Sequence, residues 1–157
     1  MFLSETFPPE SIQIGLESED KDEVFEEMVD LLCRIKKLDC RAGILEALRA
    51  RENKMSTGII EGIAIPHGKL AALDKIHGII GISRKGIDYD ALDGHPVYLL
   101  IMLVIPQEDS EDHLRLLKRL SELLENQQFF TELIAQNNPQ DVNLVIKKFE
   151  DIYITSE

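Results

Sequence analysis

Tryptophan is absent from this 157-residue chain, and aromatic residues make up only 6% of it. The core must therefore be built mostly from Ile, Leu and Val, and an apolar share of 44% is enough for one domain of this length. Positive charge is also scarce: 17 Lys and Arg stand against 29 Asp and Glu, giving a formal net charge of −12. A nucleic-acid binder needs a basic footprint, which this chain lacks overall. An anionic membrane surface would repel it on average. A basic partner protein is compatible, although net charge alone says little about partners. Cysteine is limited to Cys33 and Cys40, which form no CxxC pair, so no disulfide framework is expected and the composition reads as cytoplasmic. The first residues lack the basic and apolar regions of a secretory signal. The longest apolar run, Val97 to Ile105, is too short to span a bilayer, so direct membrane insertion is not expected.

Several catalytic signatures are missing as well. No GxxxxGK[ST] loop occurs, and no GxGxxG follows a strand, which disfavours a nucleotide-driven phosphotransferase. No HExxH or CxxC supplies a zinc site, although His67 and His113 with a carboxylate form an imaginable one. The G-x-S-x-G elbow of a serine hydrolase is absent. Neither a cofactor nor a metal is expected.

What is present reads as one α/β domain over residues 1–157, with its core at about 11–150. The expected architecture is a mixed sheet of about five strands flanked by helices. The residues through Pro8-Pro9 read as an irregular lead-in. Ser11 to Leu16 alternates and suggests a short edge strand. Asp20 with Glu23 resembles a capping box, which predicts a helix from there to about Leu38. A second helix is expected from about Arg41 to Arg51. Thr57 to Ile65 suggests two short strands or a hairpin, and Pro66, which cannot donate to a ladder, should end the strand. His77 to Arg84 is strand-like. Asp93-Gly94 marks a turn. Val97 to Ile105 suits a central strand covered on both faces. Ser110 opens a Leu-rich helix, and Gln127 to Gln136 and Gln140 to Asp151 read as two more.

The densest chemical signal lies between Arg51 and Lys69. His67 is expected at a strand terminus, where α/β sheets commonly place reactive groups. Gly68 carries no side chain, so a second backbone can approach closely there. Alone, such a histidine is more often a turn residue without a role; its neighbours change the weighing. His113 falls in the first turn of the Ser110 helix and shares a face with Leu117, Leu120 and Leu124, so it should point toward the domain. The positive end of that helix favours a phosphate nearby, but a capping or half-buried structural histidine fits equally well. Arg51 suits a phosphoryl group through its paired N–H donors, or else satisfies the end of its helix. Thr57 either donates its hydroxyl to a phosphate or merely starts a strand. His77 and His95 carry less weight, the first in a strand and the second beside a turn.

The run Arg51-Glu52-Asn53-Lys54-Met55-Ser56-Thr57-Gly58-Ile59-Ile60-Glu61-Gly62-Ile63-Ala64-Ile65-Pro66-His67-Gly68-Lys69 resembles the phosphorylation-site signature of enzyme IIA domains. These belong to the bacterial phosphoenolpyruvate-dependent phosphotransferase system (PTS), in its mannitol/fructose/nitrogen-regulatory, or type 2, class. The helix start at Lys21, the Asp93-Gly94 turn before Val97 to Pro106, and His113-Leu114 opening a Leu-rich helix resemble the family in the same order. The similarity runs from about Ser11 to Phe149. One departure is Ile60-Glu61, where many members have Gly and Asn; it bears on the local turn and on partner preference.

The resemblance implies a phosphotransferase component with a phosphohistidine intermediate. His67 would be phosphorylated by the phosphocarrier HPr or a paralogue, and would pass the group to an enzyme IIB domain, whose acceptor is typically a cysteine. By position, His113 matches a second, supporting histidine and Arg51 the arginine that holds the phosphate. Thr57 and Gly68 are further phosphate-binding candidates. The family fold is a mixed sheet flanked by helices. Two settings fit: a subunit of sugar uptake, or a carrier of the nitrogen-regulatory branch. The chain as given carries no IIB or transporter segment, which tilts the expectation toward regulation. The competing readings are a binding module that keeps the fold but not the transfer and, further off, a metal-dependent hydrolase.

Overall fold

The computed structural model describes residues 2–108 and 110–155. In chain order the elements are α1 (Leu3–Thr6), a 3-10 turn (Pro9–Ser11), β1 (Ile12–Ile14), α2 (Lys21–Lys36), α3 (Arg41–Lys54), β2 (Ile63–Ala64), β3 (His67–Leu70), β4 (His77–Ile87), β5 (Val97–Pro106), α4 (Glu111–Leu124), α5 (Gln127–Ile134) and α6 (Pro139–Thr155). The strands form one mixed five-stranded sheet. β1 runs parallel to β4, β4 antiparallel to β5, and both β2 and β3 parallel to β5. The α/β class and the mixed sheet expected from the sequence are both present.

β5 sits inside the sheet, and its alternating side chains build two cores. Leu99, Ile101, Leu103 and Ile105 join α4, α5 and α6 on one face. Leu100, Met102 and Val104 join α2 and α3 on the other. Burial on both faces is why the strand reads as an unbroken apolar run.

Helix starts follow the capping residues. The Asp20 carboxylate accepts from the Glu23 N–H at 2.9 Å, and the Ser110 hydroxyl accepts from the His113 N–H at 3.2 Å. The second half of the expected capping box is displaced by one residue, because Glu23 accepts from the Glu19 N–H at 3.4 Å. α2 ends at Lys36, with Lys37 in the left-handed conformation. α3 runs three residues past Arg51 to Lys54.

Two further expectations are corrected. The stretch from Thr57 to Ile65 is not a strand pair: only Ile63–Ala64 is a strand, and apart from one bridge between Ile60 and Ile63 its partner is β5. The strand also resumes after Pro66. Ile63, Ala64, His67 and Gly68 pair with Leu99, Leu100, Leu103 and Val104 at one constant offset. β2 and β3 are thus a single line of strand interrupted at Ile65-Pro66, where proline has no N–H to offer. The lead-in is folded as well. Leu3 and Phe7 are buried, and the buried Glu150 of α6 accepts from the N–H groups of Leu3 at 2.7 Å and Ser4 at 3.3 Å.

Candidate phosphoryl site

The interruption at Ile65-Pro66 aims three side chains one way. Ile63, Ile65 and His67 are spaced by two and lie on the α4 side of the sheet, while Ala64 and Gly68 face α3. His67 is the first residue of β3, half-buried, and so stands at a strand terminus.

A cavity of about 420 Å³ opens beside the imidazole. Its walls are mainly apolar: Ile63, Ile65, Leu103 and Ile105 from the sheet, Leu117 and Leu120 from α4, and Ile59 and Ile60 from the preceding loop. Arg51, Thr57, Ser121 and Glu125 supply the other polar groups at its edge.

His67 Nδ1 lies 2.8 Å from the Ile65 carbonyl oxygen. A carbonyl only accepts, so Nδ1 carries the proton in this pair. The neutral ring then keeps its lone pair on Nε2, the geometry a nucleophilic imidazole requires.

Arg51 donates from Nη1 to the Met55 carbonyl at 2.8 Å, closing the end of α3, and also lines the cavity. The helix-end reading is thus realised, and the position at the cavity leaves the side chain beside His67. Thr57 is held more tightly. Its N–H donates to Glu52 Oε1 at 2.9 Å and its hydroxyl to Glu52 Oε2 at 2.7 Å. The Tyr89 hydroxyl is 2.7 Å from the same Thr57 oxygen, and Lys21 Nζ is 3.0 Å from Glu52 Oε1. Glu52, Thr57 and Tyr89 are all buried. Burial pushes the Tyr89 phenol well above its ordinary value, with the Glu52 charge adding to the shift, so it remains a donor.

Three sequence candidates, His67, Arg51 and Thr57, thus share one cavity. His113 is not among its lining residues. It lies one turn before Leu117, half-buried, with Nδ1 enclosed and unpaired. Gly68 serves close packing: a Cβ there would come within 3.0 Å of Ala47 in α3. Sequence reasoning missed Glu52, Tyr89 and Lys21. Glu52, next to Arg51 and five residues before Thr57, was the available signal, but Lys21 and Tyr89 lie far away in the chain. His95 is exposed and 3.3 Å from Glu61. Among the described residues, no three His, Cys, Asp or Glu side chains gather as a metal site would need. No described helix is long and apolar enough to cross a membrane.

Comparison with known proteins places this geometry in context. Residues 5–149 match the family model described as phosphoenolpyruvate-dependent sugar phosphotransferase system, EIIA 2. The chain is 35% identical over 150 residues to the PTS system fructose-specific EIIABC component of Bacillus subtilis, covering 96% of this chain but only 24% of that relative's length. It is 32% identical to the nitrogen regulatory protein of Bradyrhizobium diazoefficiens, covering 93% of this chain and 95% of that one. The crystal structure of nitrogen regulatory protein IIA-Ntr from Neisseria meningitidis superposes with a TM-score of 0.83 at 31% identity, over 92% of this chain and 98% of the other.

Proposed function

The chain belongs to the EIIA 2 family of the phosphoenolpyruvate-dependent sugar phosphotransferase system, and from that membership we propose that it is a phosphoryl carrier whose acceptor atom is Nε2 of His67. One observation carries the choice of atom: the 2.8 Å pairing of Nδ1 with the Ile65 carbonyl, which leaves the lone pair on Nε2. The donor is a phosphohistidine protein of the HPr type. Its N–P bond breaks as the Nε2–P bond forms. No proton has to leave His67 for this, since the ring becomes a phosphorylated imidazolium with its Nδ1–H still held by Ile65. Such transfers depend on in-line positioning and charge stabilisation more than on further covalent steps. Arg51, which lines the cavity, balances the charge on the migrating group; His113, which does not line it, takes a supporting role only through its match to the family's second histidine.

The positive ring makes the phosphoryl group a good one to give away. The second acceptor is an enzyme IIB domain, through its cysteine, or a regulatory target protein. Relatives named for fructose transport and for nitrogen regulation both match nearly all of this chain, and the same carrier step serves either setting. The apolar walls around His67 suit two partners that dock in turn and exclude water from the labile bond.

The test is direct. Incubation with phosphorylated HPr should add one acid-labile phosphoryl group to the wild type and none to His67→Ala. Labelling of His67→Ala at the wild-type rate would overturn the assignment. Offering the labelled chain to a IIB domain then reads whether the group moves on to cysteine.

A further inference from the structure

We infer that Glu52, Thr57 and Tyr89 form a positioning unit for the His67 imidazole, acting through the backbone of Ile65. This rests on reading His67 as the phosphoryl acceptor. The connection is continuous. Both Glu52 oxygens are engaged by Thr57, one by its N–H and the other by its hydroxyl, and Lys21 pairs with the first at 3.0 Å. The Thr57 carbonyl accepts from the Ile65 N–H at 3.3 Å. The Ile65 carbonyl accepts from His67 Nδ1 at 2.8 Å. Ile65 is also where the strand is interrupted, so the β5 ladder does not fix that residue as it fixes Ala64 and His67. Thr57 does so instead.

The proton arrangement has one solution. An ionised Glu52 only accepts, so the Thr57 hydroxyl gives it its single proton. The Thr57 oxygen then accepts from the Tyr89 hydroxyl. Thr57 thus has no hydroxyl proton left for a phosphoryl group, although it lines the cavity. Its part is to hold the Ile65 carbonyl where that oxygen selects the Nδ1–H tautomer. Tyr89 keeps Thr57 turned toward Glu52. These are positioning residues; none needs to touch the migrating group.

The experiment compares wild type with Thr57→Val, which keeps the shape and loses the hydroxyl, and with Thr57→Ser, which restores it. Two readouts are used: the ring-nitrogen NMR shifts of His67 across pH, and the rate of His67 phosphorylation by phosphoramidate, a small donor that needs no docking. Thr57→Val should move the ring from one tautomer toward a mixture and slow labelling about tenfold, as misplacement of a reacting group does. Thr57→Ser should return both to near wild type. Tyr89→Phe, a milder change in the same unit, should move both readouts in the same direction, and it decides the matter if Thr57→Val fails to fold. A folded Thr57→Val or Tyr89→Phe that melts lower but keeps the wild-type tautomer, titration and labelling rate would overturn the inference. A wild type that phosphoramidate and phosphorylated HPr both fail to label would instead sink the carrier reading, while the ring-nitrogen comparison still decides the positioning of the imidazole.

Discussion

Two histidines sit at strand starts with opposite surroundings. His67 opens β3 with one nitrogen held by a carbonyl and the ring half-exposed to a cavity. His77 opens β4 at 7% exposure, where burial, then Lys75 and Lys36, push its pKa below the ordinary 6.5 against a smaller opposing effect of Asp74. The unfolded chain therefore binds the His77 proton more readily than the folded one. That contribution to stability is complete above about pH 6.5 and is lost as pH falls through the lower, folded-state value. Urea unfolding of wild type and His77→Gln at pH 7.5 and 5.5 should show the wild type losing more stability on acidification; equal losses would refute it. At this scale, His67 and Arg51 were legible because their signal is local: a proline, glycines and a helix end in one short run. The state of the Thr57 hydroxyl was not legible, because Tyr89 meets it only in three dimensions, as Lys21 does Glu52.

Elements with a strong period were readable from the chain, and those without one were not. α2, α4 and β5 follow from spacing and caps. The four residues of α1 are too few for any period to show, and they are held by Glu150 from the far end of the sequence. The misread stretch was Thr57 to Ile65. Its glycines and isoleucines suggested a hairpin, but a hairpin requires antiparallel neighbours, and β2 and β3 instead pair in parallel with β5, a later strand. Gly62 takes a positive φ of 79° at the turn into β2. Gly68 is needed for a different reason, since β3 presses on α3 at Ala47. Gly68→Ala places a methyl group 3.0 Å from Ala47 backbone and side-chain atoms, so strand and helix must part. The expected cost is about 1–3 kcal/mol, measured by urea unfolding. Labelling of His67 should slow as well, since that residue is the immediate neighbour of the displaced backbone; an unchanged stability would show that α3 yields freely.

For the whole molecule, the cavity and the N-terminal segment share one face of the sheet but rest on different elements. The cavity beside His67 is walled by β2, β3, β5, α4 and the loop after α3. The N-terminal segment packs elsewhere, on α6, with Leu3 and Phe7 each 1% exposed in the core it shares with α4 and α5. Burial of two such side chains contributes roughly 2 kcal/mol apiece. Removing residues 2–8 should therefore cost about 4 kcal/mol and lower the melting temperature by roughly 10 °C, at the 2–4 °C per kcal/mol expected for a domain of this size. Both cores share β5, so the loss should appear as one shifted transition rather than as a separate early step. Below that transition, labelling of His67 by phosphoramidate should proceed at the wild-type rate, because no removed residue lines the cavity. Calorimetry and labelling on the same truncated chain separate the outcomes. A second, early transition would mean that the α4–α6 face unfolds on its own. A lowered labelling rate in the folded range would mean that the N-terminal segment supports the site through α6 and α4, which the separation of cavity and N-terminus argues against.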